Sequence, residues 1–154
     1  MNHLQLVVDE IRSRTIRQLE KTADDEMRTP VPGLQNHLTW HAGHCLWVAD
    51  RVIIEKATGK SELPEGWAKT YGMDCRSPTE TTDWATRQEL IDRLTRQKTR
   101  LIDLLAIEPA SVNPAGEANQ KRARQVIHAM HDEASHQGEI QVLRKWQRAG
   151  RIGA

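Results

Sequence analysis

The sequence predicts an all-α fold, a four-helix bundle with a long crossover between the second and third helices. Three observations carry this. Apolar residues recur at helical spacing over four long stretches. No stretch shows a convincing strand-like alternation. A 24-residue irregular segment separates the second stretch from the third, long enough to cross a bundle.

The first helix is expected over residues 2–27, with Leu4, Val8, Ile11, Thr15 and Leu19 forming one stripe. Pro30, Pro32 and Gly33 then forbid helix. The second is expected over residues 36–57, with Asn36 as its N-cap and Thr58-Gly59 as its end. Residues 58–81 are rich in Gly, Pro, Ser and Thr, and Trp67 and Tyr71 are the side chains expected to pin this connection to the core. The third helix starts near Thr82 or Asp83 and reaches Ala106, burying Leu90, Ile91, Leu94, Leu101, Leu104 and Leu105. Residues 107–118 form a second loop with two prolines, and the fourth helix covers residues 119–149, closed by Gly150.

A chain of 154 residues suits one domain spanning 1–154. Its formal net charge of +1, from 22 basic and 21 acidic residues, argues against a nucleic-acid partner, and Lys121, Arg122 and Arg124 read as a solvated cluster. No apolar run is long enough for a membrane helix. The opening MNHLQLVVDEIR carries acidic residues where an export signal needs an apolar centre, and Cys45 and Cys75 make no disulfide framework. A cytoplasmic location is therefore expected.

Seven histidines pose the main question. On a helical wheel at about 100° per residue, Asp132, Ala129, Ile140 and Leu143 all lie within about 40° of His136. A carboxylate and an imidazole thus stand one turn apart inside an apolar stripe. On the second helix, His37, His41 and Val48 lie within about 60° of His44, flanked by Trp40 and Trp47. Two readings stand at this point. One is hydrogen-bonded core packing with an intrahelical Asp–His pair. The other is a divalent ion held by His44, Asp132 and His136, which supplies the partner that an inward carboxylate needs and leaves coordination positions open. His41 shares the inward face, as a satisfied core histidine or a group behind the ligands. His128 and His131 point off the stripe, and His3 and His37 are expected at the surface or an edge. Cys45 reads as packing and Cys75 as a loop residue.

The segment HAMHDEASHQGEIQVLRK, residues 128–145, resembles the last helix of the DinB-like superfamily through Asp132, His136, Gly138, Leu143 and Arg144. The segment LTWHAGHCLWVADRVI, residues 38–53, resembles that family's second helix through Gly43, His44 and Trp47. The family includes mycothiol-dependent maleylpyruvate isomerases and bacillithiol transferases. The resemblance implies a metal triad of His44, Asp132 and His136, with zinc the first expectation and nickel, manganese or iron the others. Relatives place His or Glu where Asp132 stands, so Glu133 is the alternative carboxylate. Arg144 lies two turns beyond His136 and is a candidate for binding an anionic substrate. The resemblance further implies a homodimer and a small-molecule substrate. The activity it implies is transfer or isomerisation with a low-molecular-weight thiol. A metal-dependent hydrolase with the same ligands and a non-enzymatic metal-binding bundle are the competing readings. No general acid or base stands out.

Overall fold

The computed structural model describes residues 1–73, 83–106 and 116–152, so Cys75 and nearly all of the second loop lie outside the described residues. Helix α1 spans His3–Glu20. Asn2 and Gln5 close a reciprocal capping box at its start, with bonds of 3.0 and 2.7 Å. The helix ends seven residues before the expected Met27, ahead of the acidic run Asp24-Asp25-Glu26. Carboxylates at a helix C-terminus oppose its dipole.

Helix α2 spans Leu38–Ala49 and continues through a π-helical turn, Asp50–Ile54, into a last α-turn, α3, Glu55–Thr58. Its N-cap is His37, not Asn36: the His37 ring Nδ1 accepts the Trp40 amide at 3.1 Å. Gly59 ends it at φ +82°, a conformation that costs glycine little. Within the connection, Trp67–Tyr71 form the short helix α4, and both Trp67 and Tyr71 are buried as expected. Helix α5 spans Arg87–Ala106 and starts later than Thr82, because Thr86 and Glu89 form a second capping box. Helix α6, Glu117–Ile152, passes through Gly150 without stopping.

Two core clusters show how the helices run. One joins Leu19, Leu38, Trp40, Leu90, Leu94, Ile140 and Leu143. The other joins Val8, Ile53, Ile54, Leu101, Leu105, Val126 and Met130. Each long helix touches one cluster near its start and the other near its end. Accordingly, α2 and α5 run parallel to each other and antiparallel to α1 and α6. A parallel pair cannot be joined by a tight turn, so the connection carrying α4 returns along the bundle: this is the expected crossover. Helix α1 packs mainly on α5 and α6, and α2 on α6, α4 and α5. Among the described residues no helix is long and apolar enough to cross a membrane.

A charged residue sits at the centre. Arg12 is fully buried, with Nη2 2.8 Å from Glu133 Oε2, Nη1 donating to Gln97 at 2.7 Å, and the Cys45 carbonyl nearby. Thr15 donates to the other Glu133 oxygen at 2.5 Å. Four elements are tied by one guanidinium and its carboxylate. The free thiol of Cys45 packs beside them, its pKa pushed up by burial.

His37 departs from its expected place at the surface: it is buried edge-on against Trp84, ring centroids 4.5 Å apart. Burial, with the Arg28 charge adding to it, lowers its pKa from 6.5 to about 4. The unfolded chain therefore takes this proton first. The His37 contribution to stability is complete above about pH 6.5 and drains away towards pH 4, by up to about 1.4 kcal/mol per pH unit. Urea titrations at pH 7 and pH 5 should show this loss. His37→Asn, which keeps a cap acceptor without a titrating ring, should show a shallower one.

Candidate metal centre

Helix α2 brings His44 to mid-bundle, where it is 1 % exposed. Gly43 explains how. A Cβ there would lie 2.1 Å from the Tyr71 ring, so only glycine lets α4 come this close. The Tyr71 carbonyl then sits 2.6 Å from His44 Nδ1. That carbonyl can only accept, so Nδ1 carries the proton and Nε2 presents its lone pair. The Trp67 indole donates to the Gly43 carbonyl at 3.1 Å, holding the same junction. Trp40 stacks on the His44 ring, centroids 4.5 Å apart and planes 17° apart, and screens it from water. Burial lowers the His44 pKa, against the pull of the Tyr71 carbonyl, so the ring is neutral and ready to ligate at neutral pH.

Helix α6 supplies the other two groups. Asp132 Oδ2 stands 3.9 Å from His44 Nε2 and 3.6 Å from His136 Nε2. Both separations are too long for hydrogen bonds. Yet Oδ2 is closed off from solvent and accepts no hydrogen bond. An orphaned carboxylate oxygen facing two imidazoles suits a cation, and one donor atom from each of the three residues lies within 4.8 Å of the others. The expected residues are thus brought together in a set that could hold a divalent ion, two imidazoles and a carboxylate with room for further ligands.

The remaining candidates fall elsewhere. Glu133 is turned to Arg12 and Thr15, its carboxylate fully engaged, and is corrected as an alternative ligand. Arg144 donates through Nη2 to the Lys21 carbonyl at 2.7 Å, at the C-terminal end of α1. His3, His128 and His131 are exposed. His41 is buried, with its Nδ1 2.9 Å from His136 Nδ1 and 3.0 Å from Glu139 Oε2. Burial, and then the His136, His44 and His37 rings, push its pKa down to about 3. Glu139, absent from the sequence-based candidates, meets His136 Nδ1 at 2.7 Å. Its signal is position alone, three residues beyond His136 on one helix face. A groove of about 450 Å³ opens beside this pair, lined by Leu34, Asn36, His41, Glu139, Val142 and Leu143 among others.

The family profile described as the DinB superfamily matches residues 8–140, a span that contains all three converging residues. The chain belongs to the DinB superfamily. No curated protein matches it.

The Gly43–Tyr71 contact makes a direct prediction. Gly43→Ala must displace the Tyr71 ring and with it the carbonyl that orients His44. Metal affinity should fall by about 10–100-fold, the usual cost of losing a partner that orients a ligand. Competition with a chromogenic chelator measures it. Unchanged affinity would show that Tyr71 does not orient His44.

Proposed function

We propose that this DinB-superfamily protein is a divalent-metal enzyme, a transferase or isomerase that uses a low-molecular-weight thiol to act on a small organic substrate at the His44–Asp132–His136 centre. The observation that carries the reading is the Asp132 oxygen left without a hydrogen bond between two imidazoles. A divalent ion at such a centre supplies a thiolate nucleophile at neutral pH. The chain's own residues do the rest. His44 keeps a fixed tautomer because the Tyr71 carbonyl holds its Nδ1 proton. Trp40 covers the His44 face and limits water. The groove beside His41 and Glu139 offers Leu34, Val142 and Leu143 as an apolar wall and Asn36 as a polar one, which suits a small amphipathic substrate.

The test uses untagged protein loaded in turn with zinc, nickel, manganese and iron. A panel of electrophiles and esters is assayed with and without L-cysteine, glutathione, bacillithiol and mycothiol. Turnover that requires a thiol and is lost in Asp132→Ala supports the proposal. Turnover without any thiol assigns a hydrolase with the same ligands. No turnover, together with a sharp drop in melting temperature on chelation, assigns a structural ion.

A further inference from the structure

The His136 ring has two nitrogens, and each faces a different pair of metal-binding groups. Nε2 faces Asp132 in the centre described above. Nδ1 faces His41 Nδ1 at 2.9 Å and Glu139 Oε2 at 2.7 Å, and the third side of that triangle is 3.0 Å. This second trio is drawn from the same two helices, one turn nearer the groove.

The three atoms crowd one another whichever ring nitrogen carries hydrogen. If both Nδ1 atoms carry hydrogen, two donors crowd one carboxylate oxygen and their protons repel. If His41 Nδ1 is bare, its lone pair points at a carboxylate oxygen 3.0 Å away. One cation capping all three atoms removes the conflict. The spacing fits: three neighbouring corners of an octahedron with bonds of about 2.1 Å lie about 3.0 Å apart. The wider Asp132 separations, 3.6 and 3.9 Å, lie nearer the edge of about 3.4 Å expected around a tetrahedral ion.

We propose that His41, Glu139 and His136 Nδ1 form a second divalent-cation site, so that the His136 imidazole bridges two ions. The donor set, two nitrogens and one carboxylate oxygen, suits zinc, copper(II), nickel or iron(II) rather than calcium or magnesium. The balance is simple. A proton on His136 Nδ1 is exchanged for the second ion and leaves to solvent through the groove. Glu139, whose side chain is 54 % exposed, gives the ion its path in. The bridge rests on the reading of the first centre, whereas the second trio stands on its own contacts.

Zinc is added in excess to untagged protein, the sample is desalted, and metal per chain is measured. Copper(II) is then used for electron paramagnetic resonance. The proposal expects two zinc ions per chain, falling to one in Glu139→Ala, a variant at an exposed position that should fold normally. It also expects a copper signal per ion that collapses at full loading, through coupling across the shared ring, and returns in Glu139→Ala. One ion in the wild type, lost in His44→Ala, would overturn the second site and leave the first centre standing. One ion kept in His44→Ala but lost in Glu139→Ala would overturn the bridge and the first centre together. Two ions in both wild type and Glu139→Ala would place the extra ion elsewhere, such as on His128 or His131, and would also overturn the proposal.

Discussion

Arg12→Ala should cost about 3–5 kcal/mol of folding stability, because it strands the Glu133 carboxylate in the core without its cation. Both side chains are wholly shut off from water, so neither can fall back on hydration when its partner goes. Gln97 Oε1 loses its donor at the same time, while Thr15 keeps Glu133 as its acceptor. Urea unfolding followed by far-UV circular dichroism measures the loss. A double replacement, Arg12→Met with Glu133→Leu, should recover much of it, since an apolar pair removes both charges at once. A loss below about 1 kcal/mol for the single variant would mean that Glu133 finds another partner.

His136→Ala should remove every bound ion, with affinity falling by more than the 10–100-fold that typically follows loss of an orienting partner. Among the described residues, the ring is the group common to both trios of candidate ligands. Arg144→Ala is the control: its guanidinium serves the end of α1, so metal content should be unchanged. Elemental analysis of both proteins decides the matter. Retention of a full complement by His136→Ala would remove the assignment of α6 as the metal-binding helix.

Much of this arrangement is legible in the sequence, and the reasons differ by element. The four helices and the crossover follow from spacing and from the length of one irregular segment, properties that depend on the chain alone. Wheel angles place His44, Asp132 and His136 on inward faces, because a helix fixes which side chains share a side, and the family resemblance joins them as a ligand set. The termini of α1 and α2 carry weaker local signals. Asn36 is the commoner cap type, and it takes the burial of His37 against Trp84 to make an imidazole do that work. The capping box at Thr86 and Glu89 was readable as T-x-x-E and marks the true start of α5. Arg12 breaks the stripe of Val8, Thr15 and Leu19, yet nothing local tells that its partner is Glu133, 121 residues away. The same holds for the Tyr71 carbonyl, since backbone acceptors leave no mark on composition. Glu133 illustrates the cost of this blindness: by sequence it is a spare ligand, and only its distant partner shows that its charge is already used.

The parallel course of α2 and α5 bears on how the chain reaches its native state. Because α1 rests on α5 and α6, contacts that bury its stripe lie roughly a hundred residues downstream in the sequence. Neither α1 with α2 nor α5 with α6 makes a self-sufficient hairpin, so a growing polypeptide must keep its first apolar face waiting until α5, and then α6, has emerged. Such non-local closure slows folding relative to an up-and-down bundle of equal length and makes assembly cooperative. The candidate ligands, split between the second and the final long helix, come together only at the last stage of that assembly.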